Sequence, residues 1–445
     1  MASTRTKPQQ SGTTGTTSMR RLIAASLVGT TIEWYDFFIY GSLAALVFNK
    51  LFFPDSDPLV GTMLALGSYA VGFAARPLGG IVFGHFGDKL GRKKLLIVSM
   101  LMMGGSTVLI GLLPTYAAIG IMAPVLLTLL RVVQGVALGG EWGGAVLILA
   151  EQAKPGRRGF AASWPQVGAP LGNVLAAGVL ALFAATLPDE QFLSWGWRVP
   201  FLLSALLLGI GYWVRISVSE PKVFEASKAA DEASGHQKVP VKEVLTKHPK
   251  ALLQALGGHF AVNVLYYTVT AFALVYVTQL GSNRETALVA LMIASGIQTV
   301  LIPLFGAWSD KVGRKVPYLI GASGMLIFAF ALFPMLGTGS FLVIVAAMSI
   351  GLILHGLMYG PQAAFYAELF PTRVRYTGIS VGVQLASVFA GSMAPIIATA
   401  LLAQFNSWIP VAIYLAICAV ITMAAVAWAP ETYKRSLTDV DSTNS

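Results

Sequence analysis

One ten-residue pattern occurs twice in this chain, about half a chain length apart. It reads GHFGDKLGRK from Gly84 to Lys93 and GAWSDKVGRK from Gly306 to Lys315. Each copy lies in a short charged gap between two long apolar segments. A turn that recurs at equivalent places of two hydrophobic halves predicts a duplicated bundle of membrane helices instead of a soluble enzyme.

The composition of the chain agrees with a membrane location. Hydrophobic residues make up 56% of the 445 residues and charged residues 11%, with a mean hydropathy of +0.71. This leaves too little polar surface for a water-soluble fold of this length, so lipid is the expected solvent. The one cysteine, Cys418, excludes a disulfide framework and a cysteine-based metal cluster. Residues 1–19 are polar and lack the apolar core of a signal peptide, so we expect a disordered cytoplasmic tail.

Apolar runs long enough to cross about 30 Å of hydrocarbon predict an all-α membrane protein of about twelve transmembrane helices. The predicted spans are 20–50, 58–84, 94–113, 119–151, 158–185, 196–216, 249–280, 285–308, 316–335, 339–368, 374–403 and 407–429. Several of them exceed the roughly 20 residues that a span needs, which indicates tilted helices or ends that project into water.

The lysine and arginine residues test this layout independently, because basic residues favour the cytoplasmic side of short loops. One alternating set of loops, together with the two tails, holds 25 of the 30 basic residues. The opposite loops hold Lys50, Arg198 and Arg284, and the remaining two, Arg76 and Arg131, lie inside predicted helices. This distribution places both termini in the cytoplasm. It also explains the net charge of +10 as a topology signal, without a nucleic-acid partner.

The longest polar gap, 217–248, divides the chain into two halves of six helices each. We therefore predict a cytoplasmic tail (1–19), an N-terminal bundle (20–216), a central cytoplasmic loop (217–248), a C-terminal bundle (249–429) and a second tail (430–445). A second internal repeat supports the division, because three residues recur at a constant offset: Glu151, Arg158 and Ser163 as Glu368, Arg375 and Ser380. The duplication thus covers at least two loops in each half.

Several of these features resemble the major facilitator superfamily: the repeated turn, the six-plus-six layout, and RVVQG from Arg131. Four further motifs resemble its metabolite:proton symporter family, namely IEWYDFFIYG from Ile32, ARPLGG from Ala75, GGEWGGA from Gly139 and DEQFLSWGWRVPF from Asp189. The resemblance spans the whole chain, and the first half is most similar to shikimate transporters. It implies two pseudo-symmetric six-helix bundles and import of a metabolite with a proton. Members of that family import shikimate, 2-oxoglutarate, citrate, dicarboxylates, or osmolytes such as proline and betaine.

The two copies of the repeated turn supply candidate gating residues. Glycines in the turn permit close helix approach, and Asp88 can cap the following segment or pair with a basic neighbour. The resemblance implies that this turn latches the two halves together on the cytoplasmic side while the substrate site faces outward. The structural alternative is that the charges only set topology and turn geometry. The candidates are Gly84, Asp88, Gly91, Arg92, Gly306, Asp310, Gly313 and Arg314.

Charges inside the apolar segments are candidates for proton coupling, because an ionisable group in a membrane is costly unless it is paired or hydrated. Glu33 and Asp36 lie three residues apart on one face of the first helix near mid-depth, and Arg76 on the second helix lies at a depth suited to pairing with either. A purely structural ion pair is the alternative. Glu141 on the fourth helix is a further acid for the cavity. The resemblance assigns Arg131 to proton coupling, with helix packing as its alternative.

Polar and aromatic side chains within the spans are candidates for substrate binding, since they can hydrogen-bond to a ligand and stack on it. His259, Asn263 and either Tyr266 or Tyr267 share one face of the seventh helix. A membrane histidine or amide that binds no ligand commonly makes interhelical hydrogen bonds instead. The candidates are Arg76, Tyr40, Gln134, Gln166, His259, Asn263, Tyr266, Gln298, His355, Tyr359 and Gln384.

Other function classes lack their sequence signatures. The chain has no GxxxxGK[ST] loop for ATP-driven transport, no HExxH or paired Cys/His spacing for a metal, and no βαβ setting for a dinucleotide. A receptor would favour a large cytoplasmic signalling domain, and an osmosensing relative would carry a long coiled coil. The short tail after Pro430 matches neither expectation.

We therefore expect a proton-driven symporter that is not an enzyme and needs no cofactor or metal. It should import a small hydrophilic carboxylate, such as a shikimate-like, aromatic, di- or tricarboxylic acid, by alternating access. We expect a monomer in the bacterial cytoplasmic membrane, whose partners are the substrate, the proton and the lipid bilayer. Three alternatives stay open: symport of a zwitterionic osmolyte such as betaine or proline, export by proton antiport, and a membrane receptor that transports nothing.

Overall fold

The computed structural model describes residues 19–79, 92–139, 142–154, 156–217, 240–372 and 374–435. Within these ranges every regular element is a helix. The long helices form twelve spans, α1 to α12 in chain order. They are Met19–Leu46, Pro58–Gly79, Arg92–Leu112, Met122–Leu138 continued by Trp142–Gln152 (α4), Arg158–Thr186, Val199–Ser217, Pro249–Gln279, Arg284–Val312, Lys315–Leu336, Phe341–Leu369, Arg375–Phe405 and Ile409–Trp428.

Eight of these spans, among the residues described, are long and apolar enough to cross a membrane by themselves: α2, α5 and α7 to α12. Two shorter apolar stretches, Ile97–Leu112 and Met122–Leu138, belong to α3 and α4. Large apolar side chains such as Trp213, Ile327 and Leu342 are exposed on the outside of the bundle. Such a surface suits lipid and not water, as the composition predicts.

Most observed boundaries lie within three residues of the predicted ones, and larger differences occur at three places. The first predicted span (20–50) breaks at Val47, and a short helix, Phe48–Phe52, follows; its Phe48 and Phe52 rings pack against Trp197 at 5.7 and 5.9 Å. The predicted central loop (217–248) contains a helix, Pro240–Lys247. The eighth span continues four residues beyond the predicted end, to Val312. Apolar windows miss such ends because a helix that leaves the hydrocarbon can continue with polar residues.

Each half consists of six spans, α1–α6 and α7–α12, and the two halves meet mainly along α5 and α8. Two glycines make the closest approach possible. A Cβ atom on Gly159 would lie 2.3 Å from the Gly306 carbonyl oxygen, and one on Gly306 would lie 2.6 Å from the Gly159 carbonyl oxygen. Further contacts between the halves join α5 to α10 and α2 to α11. Small residues at crossing points are how membrane helices gain van der Waals contact.

Two spans of the second half contain a π-helical turn. It covers Thr268–Phe272 in α7 and Ser387–Ser392 in α11. Such turns widen a helix locally and are frequent at functional sites. Both turns lie next to residues that line a central cavity.

The bundle has two ends, which are named here by the chain termini. The terminal end is the one where α1 begins and α12 ends, and the other is the opposite end.

Candidate substrate and proton site

A cavity lies between the two halves, with about 850 Å³ of space that protein atoms do not fill, part of it open to solvent. α1, α2, α4 and α5 form one wall, and α7, α10 and α11 form the other. The lining residues are Glu33, Trp34, Phe37, Arg76, Leu138, Ala169, His259, Val262, Asn263, Tyr266, Tyr267, His355, Tyr359, Val383, Gln384 and Ser387. Seven of the eleven predicted substrate-binding residues are in this set.

Arg76 is the cation of the first-half wall. Its guanidinium carbon lies 4.2 Å from the centre of the Phe73 ring and 5.0 Å from that of Phe37. The charge of Glu33, which also lines the cavity, acts on Arg76. Arg76 Nε has no hydrogen-bond partner within the described part of the chain. The aromatic faces therefore stabilise the charge while leaving donor capacity for a ligand.

Asp36 does not share the cavity with Glu33. Its Oδ1 accepts a hydrogen bond of 2.5 Å from the Ser204 hydroxyl of α6, so the carboxylate is buried within the first half. The prediction that Glu33 and Asp36 share one set of surroundings is therefore not met, because Glu33 lines the cavity and Asp36 contacts α6. Residues three apart differ by about 60° around a helix, enough for one to face the cavity and the other a neighbouring helix.

Arg131 is also buried within the first half, away from the cavity lining. Its guanidinium carbon lies 4.1 Å from the centre of the Tyr40 ring, and its Nη1 donates to Oε1 of Gln134 at 2.7 Å. Gln134 in turn donates to Thr107, and Tyr40 shares a hydrogen bond with Ser68. Arg131, Gln134 and Tyr40 therefore form a packed network behind the cavity wall, and their predicted roles in coupling and binding stay predictions.

The second-half wall carries the predicted aromatic and amide groups. His259, Asn263 and Tyr266 line the cavity from α7, as their spacing predicts, and Gln384 does so from α11 with its Oε1 unpartnered among the described residues. The His355 ring packs on those of Tyr266 and Tyr359, with centroids 4.7 and 4.9 Å away.

Two predicted amides stand behind this wall. Gln166 of α5 donates to the Tyr359 carbonyl oxygen at 2.5 Å, across the two halves. Gln298 of α8 contacts Nδ1 of His355 at 2.6 Å. Neither lines the cavity, so they support residues that do.

A network of charges joins the two halves at the terminal end. Arg314 binds both carboxylate oxygens of Glu368 (3.0 and 3.1 Å) and also Asp310 (2.8 Å). Asp310 accepts from the backbone N–H groups of Gly159 and Phe160. Burial alone would lower the pKa of Arg314, but its hydrogen bonds and the charges of Glu368 and Asp310 outweigh burial and raise that pKa. Arg314 therefore stays charged.

The second internal repeat of the sequence forms reciprocal ion pairs in this network. Arg375 of the second half donates to Glu151 of the first at 3.1 Å. Arg158 of the first half lies 3.5 Å from Glu368 of the second. The sequence shows this repeat only as a trace of duplication. That its members pair with each other becomes clear only when the two halves are placed together.

Gly313 and the segment after α12 complete the terminal end. Gly313 has a φ of +103°, which favours glycine, and ends α8 so that Arg314 can turn back. Glu431 accepts from the backbone N–H groups of Arg314 and Lys315 at the start of α9, and the Thr432 hydroxyl donates to Glu368. No sequence pattern indicates this role of Glu431.

At the opposite end, the mostly buried Arg284 and the exposed Asp189 join the halves, with Arg284 Nη1 3.1 Å from Asp189 Oδ1. The predicted site residues Glu141, Gly84, Asp88 and Gly91 lie outside the described residues. Arg92 begins α3, and its side chain is outside the described part. The contacts between the halves described above therefore involve the second copy of the repeated turn, and the gating role of both copies stays a prediction.

Sequence reasoning also missed most apolar and small residues of the cavity. Trp34 directly follows Glu33, and Phe37 lies four residues after Glu33. Spacing from the charged residue would have found Phe37 on the same face, since i and i+4 meet on a helix. Ser387 lies in the π-helical turn of α11, where the regular 3.6-residue period no longer applies.

The model of the Major Facilitator Superfamily matches residues 26–395. The chain belongs to this superfamily. As a superfamily member it is 44% identical over 426 residues to the inner membrane metabolite transport protein YhjE of Escherichia coli strain K12, covering 94% of this chain and 96% of that protein. It is 41% identical to the shikimate transporter of the same organism (95% and 97% covered). It is 34% identical to the proline/betaine transporter of Salmonella typhimurium strain LT2 (94% and 85% covered).

Solved structures of the superfamily have the same fold. A crystal structure of a D-xylose-proton symporter superposes with a TM-score of 0.73 at 20% identity, covering 94% of this chain and all of the other. The proton:xylose symporter XylE bound to 6-bromo-6-deoxy-D-glucose gives a TM-score of 0.75 at 18% identity (96% and 99% covered). The predicted family and twelve-helix fold are confirmed, and this superfamily member is a multi-pass membrane transporter of metabolites.

Proposed function

We propose that this chain is a proton-coupled symporter that imports a small hydrophilic carboxylate. The observation that carries this proposal is Arg76, a buried cation on the cavity wall whose Nε is unpartnered in the described part of the chain. A desolvated guanidinium attracts an anion strongly and can bind a carboxylate through two parallel hydrogen bonds. The relative that transports shikimate, itself a carboxylate, supports the same class of substrate.

Glu33 is the acid that we assign to proton coupling. It shares the cavity with Arg76 and interacts electrostatically with it. A substrate carboxylate that binds Arg76 competes with Glu33 for the same cation. Protonation of Glu33 removes that competition, so proton and substrate favour each other's binding.

The transporter acts by alternating access in this proposal. The ion pairs at the terminal end hold the halves together while the cavity opens at the other end, and they separate when it opens at the terminal end. We propose that the terminal end faces the cytoplasm of a bacterial cell, which the excess of basic residues there supports. We propose a monomer, because each chain contains both halves of the cavity.

A zwitterionic osmolyte is the second candidate substrate. The proline/betaine transporter is a relative, and the cavity wall is rich in aromatic rings, including Trp34, Phe37, Tyr266, Tyr267 and Tyr359. Aromatic faces bind quaternary ammonium groups.

Counterflow in proteoliposomes tests the substrate class. Vesicles with purified protein would be loaded with shikimate, protocatechuate, 2-oxoglutarate, citrate, betaine or proline, and exchange with the labelled compound outside would be measured. An imposed inward proton gradient should then drive accumulation of the exchanged carboxylate. Exchange of betaine or proline alone would mean that the substrate is an osmolyte and not one of the other acids tested. Loss of substrate from the vesicles on acidifying the outside would indicate proton antiport.

A further inference from the structure

Two histidines of the cavity wall are each held by a buried glutamine. His355 Nδ1 lies 2.6 Å from Nε2 of Gln298, and His259 Nδ1 lies 2.6 Å from Nε2 of Gln362. Both histidines line the cavity, whereas both glutamines are fully buried behind it. The same contact thus occurs twice, once between α8 and α10 and once between α7 and α10.

The other neighbours of each glutamine fix the direction of its amide. Gln298 Nε2 also lies 3.0 Å from the carbonyl oxygen of Leu352, which can only accept. Gln362 Nε2 lies 2.9 Å from the Tyr318 hydroxyl, which donates to the Gly258 carbonyl oxygen, and 3.1 Å from the Tyr366 hydroxyl, which can donate to the Tyr318 oxygen 3.3 Å away. Of the two hydrogens on this nitrogen, one therefore serves Tyr318 and the other serves His259, whose Nδ1 is the nearest atom at 2.6 Å. Because both surroundings require an N–H group at this position, each glutamine donates to its histidine.

A histidine nitrogen that accepts a hydrogen bond carries no proton, so the proton of the neutral ring lies on Nε2. We infer that Gln298 and Gln362 hold His355 and His259 in the Nε2–H tautomer, and that the two rings present N–H donors to oxygen atoms of the substrate. Neither Nε2 makes a hydrogen bond to a described residue. The titratable groups near the rings include Tyr266, Tyr267, Tyr318, Tyr359, Tyr366 and, on the first-half wall, Glu33 and Arg76.

Oε1 of Gln298 and Oε1 of Gln362 have no hydrogen-bond partner among the described residues, although both atoms are buried. An unpaired buried oxygen destabilises the fold, and an apolar side chain would avoid that cost. The donor group is what each glutamine contributes at its position.

The two N–H donors restrict which substrates fit the cavity. This restriction rests on the proposed function, the symport of a carboxylate. Arg76 accounts for one carboxylate, and the two N–H donors call for further oxygen acceptors, as hydroxyl or carbonyl groups provide. Betaine has no acceptor beyond its carboxylate, and its ammonium group would face the positive ends of both N–H dipoles. The cavity therefore fits an oxygen-rich acid better than an osmolyte.

Nitrogen NMR of the wild-type protein tests the tautomers directly. The protein would be labelled with ¹⁵N in its five histidines, and the His259→Asn and His355→Asn variants would assign the two signals by their loss. We expect a protonated Nε2 and an unprotonated Nδ1 in both rings. A protonated Nδ1 in either ring overturns the inference, and no other variant needs to fold for this result.

Ligand discrimination tests the consequence. Shikimate and cyclohexenecarboxylate share a ring and a carboxylate, but only shikimate has hydroxyl groups. Gln298→Glu and Gln362→Glu replace the donor by an acceptor of equal size and so favour a proton on Nδ1. We expect shikimate binding to weaken about tenfold in each variant, while cyclohexenecarboxylate binding changes less than about twofold.

Gln254→Glu is the matched control, because Gln254 is a buried glutamine of α7 that contacts the Trp428 carbonyl oxygen and no histidine. An equal loss for both ligands in the two test variants would contradict the donor role of the histidines. The NMR result stands apart from transport. If no carboxylate is exchanged but Nε2 carries the proton, the proposed function fails and the tautomer assignment stands. If a carboxylate is exchanged but Nδ1 carries the proton, the proposed function stands and the tautomer assignment fails.

Discussion

Asp310 of the second half accepts a hydrogen bond of 2.8 Å from the backbone N–H group of Gly159, the second residue of α5 in the first half. The first N–H groups of a helix lack partners within the helix and carry partial positive charge. Asp310 therefore caps a helix across the boundary that has to separate during transport. The cap also holds Arg314 at 2.8 Å, which ties it to the buried pair with Glu368.

Asp310→Asn should loosen the closure at the terminal end. The amide oxygen can still accept from Gly159, but the amide nitrogen cannot accept from Phe160, and the charge that stabilises the α5 terminus and Arg314 is lost. The equilibrium constant for closure should therefore fall about tenfold. A reporter cysteine at Ser163, buried where α5 meets α8, would be introduced with Cys418 replaced by serine. Its alkylation rate should rise accordingly.

Asp189→Asn serves as the control, because it removes the exposed carboxylate of the ion pair at the opposite end. Such a pair contributes little stability. An unchanged alkylation rate in Asp310→Asn, with wild-type transport, would contradict a gating role for this carboxylate.

Gly313→Ala should destabilise the protein more than Gly156→Ala does. Both glycines have positive φ, +103° and +76°, so each alanine carries a conformational cost of about 1 to 3 kcal/mol. At Gly313 the added Cβ would also lie 2.6 Å from Oε2 of Glu431, whereas it meets nothing within 4 Å at Gly156. Thermal unfolding in detergent measures the difference between the two variants. Equal midpoints would mean that the Glu431 contact adds nothing to stability.

Arg76→Lys should weaken carboxylate binding about tenfold to a hundredfold while the protein inserts and folds normally. Lysine keeps the charge but cannot form two parallel hydrogen bonds to one carboxylate. Isothermal titration with the exchanged carboxylate would provide the affinity. Arg284→Lys is the control, because it makes the same substitution at the opposite end of the bundle, away from the cavity. Wild-type affinity in Arg76→Lys would reduce Arg76 to a structural cation.

Glu33→Gln should abolish proton-driven accumulation without abolishing exchange. The amide mimics a permanently protonated acid, so the substrate can bind and cross but the proton gradient no longer drives it. Asp36→Asn should retain accumulation, because Asp36 is bonded to Ser204 behind the cavity wall. Uptake under an imposed pH gradient would be compared with counterflow in the same proteoliposomes.

If Asp36→Asn loses accumulation while Glu33→Gln keeps it, the proton site lies within the first half, next to Ser204, and not in the cavity. That outcome would reverse the assignment of the two acids. Accumulation in both variants would place the proton on neither of them.

Much of the fold and part of the site could be predicted from the sequence, because burial in lipid leaves a strong pattern. Runs of apolar residues define the spans, and Arg76 and Glu33 stand out because charges inside such runs are costly. His259, Asn263 and Tyr266 could be grouped because helical spacing fixes which residues share a face. These inferences need only one helix at a time.

What the sequence did not predict depends on how helices pack against one another. Tyr40 and Gln134 have the same chemistry as Tyr359 and Gln384, yet the first two contact neighbouring helices of the first half and the latter two line the cavity. Whether a polar residue faces a helix or a cavity depends on rotation of its helix about its axis. When a helix is apolar on most sides, its sequence alone does not reveal how the helix is rotated about its axis.

The reciprocal pairs Glu151 with Arg375 and Arg158 with Glu368 have the form of an isologous contact. In a twofold dimer, whenever one residue touches another across the interface, the same contact recurs with the subunits exchanged. The two halves of this chain obey that rule with residues at a constant offset of the repeat. A single six-helix copy would thus have carried both partners of its own closure, so that joining two copies in one chain required no new pair of charges.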